Sequence, residues 1–276
     1  MRLIDSHGHL QAEAFTADLD DVVAASRGAG VERLLVPGWD LPSSRAALAL
    51  AAGHDFIDAA AGVHPHAAAA VDDETWAAVA DLALDERVVA VGETGLDYDR
   101  AFSPREAQLV NLRRHLALAL ATGKPAILHC RSRAGQRDAQ DELIAELRAA
   151  GIGRPAWLAA FGERPPALLH SFSGPVDYGE AALEMGLAVS FSGLAFRAGE
   201  ETTGIVARLV PDDRLLVETD SPYLSPPGAP RRRNEPHWVE VTARWLAERR
   251  GIPPDALGDL LVANYDRVFR AASPSG

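Results

Sequence analysis

The chain has 276 residues, 47% of them hydrophobic, and a formal net charge of −12; this composition is typical of a soluble globular protein and too apolar for a disordered one. One cysteine, Cys130, excludes an internal disulfide and a cysteine-rich zinc site, and no apolar run approaches the ~20 residues of a membrane helix. The acidic balance argues against a broad, non-specific nucleic-acid binder, and the polar first residues argue against a signal peptide, so we expect a cytoplasmic protein with no membrane partner.

Short apolar runs of strand length alternate along the chain with longer, alanine-rich amphipathic segments. The predicted strands are, in order, Leu3–Asp5, Arg33–Val36, Phe56–Gly62, Val88–Gly92, Ala126–His129, Ala167–His170, Ala188–Phe191 and Leu215–Glu218. The predicted helices lie near residues 17–28, 43–52, 73–84, 104–122, 137–150, 177–185, 199–209, 235–250 and 254–271. Near-continuous apolar strands that alternate with helices predict βα units around a buried parallel sheet.

Eight such units favour an α/β fold of one kind, a single (β/α)8 TIM barrel with an extra C-terminal helix. An open doubly wound sheet is the alternative, but no Gly-x-Gly-x-x-Gly segment follows any predicted strand. We expect one domain over residues 1–276, because no segment has the composition of a domain linker. Residues 151–166 predict a longer surface turn in preference to a lid.

Histidine and acidic residues fall where the predicted strands end. They are His7 and His9 after the first strand, His64 and His66 after the third, Glu93 after the fourth, His129 and His170 at the ends of the fifth and sixth, and Asp220 after the eighth. In a βα barrel these strand ends converge on one face, where the active sites of such barrels lie. Imidazole and carboxylate groups that meet in a water-accessible cleft predict a divalent metal site.

The residue types suit a centre with two metal ions. His7 and His9 alternate by two, which on extended backbone points both side chains to the same side. Glu93 has two oxygens and can bridge two cations, while the histidines of the fifth and sixth strands can complete the second ion. Asp220 can hold the first ion and accept a hydrogen bond from its water. Burying these groups together without cations would cost roughly several kcal/mol per unpaired charge.

Longer motifs extend this pattern over the chain. They are Ile4–Leu10, Gly62–His66, Val91–Tyr98, Leu128–Arg131, Leu169–Gly174, Ser190–Gly193, Val217–Leu224, Arg233–Pro236 and Asn264-Tyr265. Taken in order, these motifs resemble those of the TatD-family metal-dependent DNases, which belong to the amidohydrolase superfamily. The resemblance covers essentially the whole chain and implies hydrolysis of phosphodiester bonds in DNA, typically by a Mg²⁺-dependent 3′→5′ exonuclease.

The resemblance also implies roles for individual residues. The implied metal ligands are His7, His9 and Asp220 for one ion, His129 and His170 for the second, and Glu93 as the bridge. We therefore predict a deoxyribonuclease with Asp220, Glu93 and His64 as catalytic residues, in which Asp220 is the general base for a metal-activated water. The native ions stay open among Mg²⁺, Mn²⁺, Zn²⁺ and Ni²⁺, because a histidine-rich ligand set suits several of them.

Basic residues near the strand ends are candidates for binding a nucleic-acid strand end. Arg131 is one, because guanidinium pairs with phosphate in a bidentate way, although an ion pair with a nearby carboxylate is an equal alternative. Arg231 and Arg233 belong to a run of three arginines after the eighth strand, and His66 lies beside the predicted pocket. Such cations would attract an anionic substrate locally, although the chain as a whole is acidic.

Other residues and other functions stay open at this stage. Trp39 and Tyr223 are either base-stacking residues or, more commonly for aromatics, part of the core or rim, and His115 is expected to be structural. The same ligands would serve another ester or amide hydrolase, such as an aminoacyl-tRNA deacylase, since the pocket walls decide the substrate. A catalytically idle metal-binding partner protein is disfavoured because every ligand is present. No obligate protein partner is evident.

Overall fold

The computed structural model describes residues 1–270, and in it eight strands form one parallel sheet in which each strand pairs with the next along the chain. The strands are β1 (Leu3–Asp5), β2 (Val31–Pro37), β3 (Ile57–Ala61), β4 (Val88–Asp97), β5 (Ala126–Arg131), β6 (Ala167–Leu169), β7 (Ala188–Phe191) and β8 (Leu215–Val217). Most of their side chains are buried whichever way they point, so the strands are continuous apolar runs without polar alternation.

The first and last strands meet and turn the sheet into a barrel. The Ser6 amide donates to the Val217 carbonyl over 3.0 Å, and the His9 amide donates to the Ser221 carbonyl over 2.7 Å. Gly8 and Ser221 form a parallel bridge at the same seam. The predicted TIM barrel is therefore confirmed, and the carboxyl ends of all eight strands open onto one face.

Helices cover the outside of the barrel. They are α1 (Leu19–Gly28), α2 (Leu41–Gly53), α3 (Asp73–Leu82), α4 (Arg105–Thr122), α5 (Asp138–Ala149), α6 (Pro155–Phe161), α7 (Val176–Glu184), α8 (Glu201–Leu209), α9 (Val239–Arg250) and α10 (Pro254–Tyr265). A π-helical turn, Asp266–Arg270, follows α10, while residue 271 of the predicted last helix lies outside the described residues. Within residues 1–270, no helix combines the length and apolar character needed to cross a membrane.

The ends of these helices follow from local chemistry. At the start of α2, the Asp40 side chain accepts a hydrogen bond from the Ser43 amide over 2.8 Å, and Ser43 Oγ accepts one from the Asp40 amide over 2.9 Å. This reciprocal pair satisfies amide groups that a helix start leaves unpaired. At the carboxyl end of α4, Gly123 adopts φ +65°, the left-handed conformation that ends a helix.

Residues 151–166 contain a helix that the sequence analysis did not predict. In α6, Trp157 and Phe161 are buried and their rings stack with centroids 5.5 Å apart. The helix precedes β6, which places it at the amino-terminal end of the barrel, far from the face where the strands end. It is therefore neither a lid nor a plain turn. Its two buried aromatic residues, four positions apart, stabilise a helix that is too short to show a periodic pattern.

Candidate metal centre and cleft

The histidines and carboxylates singled out in the sequence meet at the carboxyl end of the barrel. The side chains that come together are His7 and His9 after β1, His64 after β3, Glu93 in β4, His129 in β5, His170 after β6 and Asp220 after β8. Parallel strands in a barrel all end on the same face, so residues far apart in sequence become neighbours there.

One part of the cluster lies between the β1 histidines and two carboxylates. His7 Nε2 and His9 Nε2 are 3.2 Å apart, and they lie 3.2 Å and 3.7 Å from Glu93 Oε2. The same two nitrogens lie 3.8 Å and 3.4 Å from Asp220 Oδ1. One ligand atom from each of His7, His9 and Asp220 lies within 4.8 Å of the others, a spacing that could hold a metal ion.

A second part of the cluster surrounds the other oxygen of Glu93. Its Oε1 lies 2.8 Å from His170 Nε2, 3.0 Å from His129 Nδ1 and 3.4 Å from His64 Nε2. The two carboxylate oxygens thus face two different sets of imidazole nitrogens. His64, which the sequence places on the substrate side, also offers a ligand atom to this second set.

These donors fit a divalent-metal centre. The rings of His7 and His9 both present Nε2 to the cluster. Their Nδ1 atoms are buried and have no hydrogen-bond partner among the described residues. Imidazole nitrogen and carboxylate oxygen are the ligand atoms that first-row divalent metals take in proteins.

The charge of each group follows from its neighbours. Burial raises the pKa of Glu93, but the surrounding histidines, led by His170, outweigh burial and hold that pKa well below its usual value. Burial lowers the pKa of His170, yet Glu93 and Glu218 raise it well above the usual value. For His64 burial dominates and lowers the pKa to about 4, so this imidazole is neutral at pH 7.

Two buried carboxylates, for which the sequence predicted no role, contact histidines of the cluster. Asp97 Oδ2 lies 3.3 Å from His129 Nε2 and 2.8 Å from His66 Nε2. Glu218 Oε1 lies 3.2 Å from His170 Nδ1. Partners of this kind fix the orientation and basicity of a ligand histidine. The available signal was their position inside the motifs, a few residues from a candidate ligand.

The strand that carries Glu93 is longer than predicted. The sequence analysis ended it at Gly92, whereas β4 continues to Asp97 because residues 94–97 pair with β5. The pairing register with β5 shifts between Val91 and Thr94, and the peptide bond between Gly92 and Glu93 is cis. Glu93 therefore projects from within a hydrogen-bonded strand and not from a loop.

Gly95 brings β4 unusually close to β5. Its φ is +136°, and a Cβ atom there would lie 2.0 Å from the carbonyl oxygen of His129. A side chain at this position would push apart the two strands that carry Glu93 and His129. Glycine is thus required for the spacing of the cluster.

A cleft with a volume of about 510 Å³ opens above the cluster. Besides the cluster residues, its walls include Trp39, His66, Arg100, Arg131, Tyr223 and Leu224. Trp39 and Tyr223 are rim aromatics, with ring centroids 5.4 Å and 6.1 Å from the His9 ring. Another cavity, of about 540 Å³, lies at the opposite end of the barrel beside Asp58 and Arg270 and is lined by none of the cluster residues.

The predicted substrate-binding residues divide into two groups. His66 and Arg131 line the cleft, and Arg131 Nη1 lies 3.6 Å from Asp97 Oδ2, which makes the ion pair that the sequence left as an alternative. Arg231 and Arg233 are not among the lining residues. Arg233 Nη2 instead donates to both carboxylate oxygens of Asp18 over 2.7 Å. Arg100, which the sequence analysis did not select, provides a second guanidinium on the cleft wall.

Comparison with known proteins extends over nearly the whole chain. Residues 4–270 match the family described as TatD related DNase. An uncharacterized metal-dependent hydrolase, YabD of Bacillus subtilis (strain 168), is 33% identical over 269 residues, which are 97% of this chain and 99% of that protein. The 3′-5′ ssDNA/RNA exonuclease TatD of Erwinia billingiae (strain Eb661) is 36% identical over 277 residues, which cover 97% of this chain and 99% of that protein.

A solved structure agrees with these matches. The crystal structure of YJJV, a TatD homologue from Escherichia coli K12, superimposes with a TM-score of 0.85 at 27% identity and covers 98% of this chain and 99% of that one. The shared barrel and the family match both include every strand end that contributes to the cluster. The chain accordingly belongs to the TatD related DNases and is a metal-dependent hydrolase of that family.

Proposed function

We propose that this protein is a divalent-metal-dependent exonuclease that removes nucleotides from the 3′ end of single-stranded DNA. The observation that carries the proposal is the position of Glu93, whose two oxygens face separate sets of ligand atoms below an open cleft with two arginines on its wall. The Erwinia billingiae relative, named a 3′-5′ ssDNA/RNA exonuclease, supports the direction of attack and the single-stranded substrate.

We infer that the centre holds two ions. The residues that would hold them are His7, His9 and Asp220 for the first, His129 and His170 for the second, and Glu93 for both. When bound, such ions would lower the pKa of water and stabilise negative charge on the oxygens of the phosphodiester. The donor set admits Mg²⁺, Mn²⁺, Zn²⁺ or Ni²⁺.

Asp220 is the general base in this proposal. Burial raises the pKa of Asp220, but a hydrogen bond with His9 and the charges of neighbouring histidines lower it below the usual value. The carboxylate is therefore ionised at neutral pH and can accept a proton from water. Because Asp220 also lines the cleft, it can reach a water molecule placed beside a bound phosphodiester.

The cleft wall positions the strand in this proposal. His64 is neutral at pH 7 and lines the cleft, so it can hydrogen-bond to a phosphate oxygen without adding charge. Arg131 and Arg100 place guanidinium groups where the strand would leave the cleft. His66 is held by Asp97 and lies beside them.

The experiment that tests this proposal uses single-stranded DNA labelled at either end, incubated with the purified protein and each candidate metal in turn. We expect a ladder of shortened products from 5′-labelled DNA, release of labelled mononucleotide from 3′-labelled DNA, and no reaction with a chelator present. Asp220→Asn protein, purified identically, controls for contaminating nucleases. Intact DNA with all four metals, together with cleavage of an aminoacyl-tRNA ester, would overturn the proposal.

A further inference from the structure

Phe102 presents a large apolar ring to solvent on the face that carries the cleft. Its residue surface is 70% exposed, which is the highest value among the large hydrophobic residues of the described chain. The ring meets the His66 ring edge to face, with centroids 4.7 Å apart, and His66 lines the cleft. The exposed ring offers apolar surface beside the cleft, and a bound partner that covers it would remove that surface from water.

The backbone around Phe102 is held in place on both sides of the ring. Before it, Asp97 Oδ1 accepts a hydrogen bond from the Arg100 amide over 2.8 Å. After it, Ser103 Oγ donates to the His66 carbonyl over 2.9 Å. Ala101 between them adopts φ +50°, an uncommon conformation for a residue with a side chain. These contacts hold the backbone on both sides of Phe102, whose ring is exposed to solvent.

Two arginines on the cleft wall favour an anionic chain as the partner of the ring. Arg100, two residues before Phe102, and Arg131 both line the cleft. The loop that carries Phe102 follows β4, whereas Trp39 and Tyr223 follow β2 and β8 on another side of the opening. A cation beside an exposed aromatic ring is the combination that binds single-stranded nucleic acid, because guanidinium binds phosphate and the ring stacks on a base.

We propose that Phe102 is a nucleobase-stacking subsite. It would take a base on the 5′ side of the scissile phosphate as the strand leaves the cleft, while Arg100 and Arg131 contact the phosphate between that base and the centre. The subsite recognises a planar base of any identity, since each base has a face that can stack. This inference rests on the proposed exonuclease function and specifies how that site holds its substrate.

The test compares two substrates in the same protein. One is a single-stranded oligonucleotide, and the other is methyl p-nitrophenyl phosphate, a phosphodiester too small to reach from the metal centre to Phe102. For Phe102→Ala we expect the ratio of kcat/KM on the oligonucleotide to kcat/KM on the small diester to fall by about tenfold, chiefly through KM. Phe102→Trp should keep or raise the ratio, because it preserves a stacking surface.

An abasic substitution locates the subsite from the side of the substrate. A single abasic nucleotide is moved stepwise from the 3′ end of the oligonucleotide. In the wild-type protein one position should lower kcat/KM as much as Phe102→Ala does. In Phe102→Ala the same position should cause no further loss, because the two changes remove one shared interaction.

Leu158→Ala is the matched control. Leu158 is 55% exposed and lies in α6 at the opposite end of the barrel, so this variant should match the wild type on both substrates. The inference is overturned if Phe102→Ala lowers activity on both substrates equally, which would mark a structural role beside His66, or leaves the oligonucleotide reaction unchanged. Failure of the proposed function looks different: wild-type protein would hydrolyse the small diester and leave nucleic acids intact.

Discussion

Glu93 is the carboxylate around which the buried histidines at the carboxyl end of the barrel are arranged. Its carboxylate lies within 3.4 Å of imidazole nitrogens of His7, His64, His129 and His170. Burial alone raises the pKa of this carboxyl group and disfavours its charged form. The histidines reverse that effect, so the ionised form is available to hold cations.

Asp220, the proposed general base, has an unusual backbone conformation. Its φ is +53°, in the left-handed region, and its amide donates to the His7 carbonyl over 2.8 Å. A non-glycine residue held in this conformation indicates that the surrounding structure fixes it. The carboxylate is thereby aimed at the cluster together with His9.

Asp220→Asn tests the assigned role of this carboxylate. We expect kcat to fall by at least about a hundredfold, because the amide cannot accept a proton, while the nearly isosteric side chain preserves the fold. Activity on single-stranded DNA and the thermal unfolding midpoint are the two measurements. Asp213→Asn, which makes the same change at the opposite end of β8, should keep full activity. Unchanged turnover in Asp220→Asn would refute the role of general base.

At the scale of elements, α4 holds the turn that carries His64. The Val63 carbonyl accepts a hydrogen bond from Asn111 Nδ2 over 2.7 Å, and the Val63 amide donates to His115 Nε2 over 2.9 Å. His115 Nδ1 in turn lies 2.7 Å from the Asn111 carbonyl, so this nitrogen is the donor. His115 is fully buried, which agrees with the structural role expected from the sequence. The backbone N–H and C=O of Val63, the residue before His64, are thus both bound by side chains of one helix.

Replacing His115 should loosen this attachment. His115→Leu leaves the buried Val63 amide without an acceptor, and we expect a loss of about 1–3 kcal/mol in the free energy of unfolding. His115→Gln keeps a side-chain acceptor and should lose less. Urea denaturation of the two variants measures the difference. Equal stability of wild type and His115→Leu would show that the hydrogen bond contributes nothing.

The same histidine predicts a pH dependence of stability. Burial lowers the pKa of His115 from 6.5 to about 4 in the folded protein. Between these values the unfolded chain binds a proton that the folded protein does not, so stability falls as pH drops from 6.5 toward 4, by up to about 3 kcal/mol. The stability advantage of wild type over His115→Gln, measured by urea denaturation at several pH values, should therefore shrink over that window. A constant difference would contradict this.

At the scale of the whole molecule, ligands from six strand ends or the residues just after them meet at one point. The cluster joins β1, β3, β4, β5, β6 and β8, so ions held there would link almost every part of the barrel. A ligand that binds only the folded state stabilises it in proportion to its affinity and concentration. Metal occupancy should therefore affect the stability of the entire fold.

Chelation tests this linkage without an activity assay. At a metal concentration about a hundredfold above Kd, we expect a chelator to lower the Tm by about 5–10 °C. Differential scanning calorimetry with and without the chelator makes the measurement. Asp220→Asn should show a smaller decrease, because it has lost one ligand. A Tm that is independent of metal and chelator would argue against a centre that spans the strands.

The net charge of −12 limits how this protein meets an anionic substrate. A net negative charge disfavours long-range attraction of a nucleic acid, so under the proposed function binding depends on metal ions and a few cations at the cleft. In an Asp220→Asn background, Arg131→Gln should weaken binding of single-stranded DNA and reduce the salt slope of log Kd by about 0.7. Arg231→Gln should change both less, since Arg231 does not line the cleft. Fluorescence anisotropy at several salt concentrations measures both effects.

The sequence by itself determined the barrel and the cluster of histidines and carboxylates at its carboxyl end. Apolar runs of strand length predict the eight strands, and the histidines and acids lie directly at the ends of those runs. In a parallel barrel that position is sufficient to bring His7, His129 and Asp220 onto one face. Local pattern and fold geometry carry this information together, so the cluster could be predicted residue by residue.

Only the tertiary structure decided how the neighbours of those ligands are used. The extension of β4 to Asp97 depends on pairing with β5, and Arg233 is bound to Asp18, more than two hundred positions away in the chain. The backbone next to Phe102 is held by Ser103 Oγ, which donates to the carbonyl of His66, a residue 37 positions away. Each outcome is set by contacts between segments distant in sequence. The local periodicity of the sequence does not reveal such contacts, because they form and stabilise the protein only when the strands and loops have packed together.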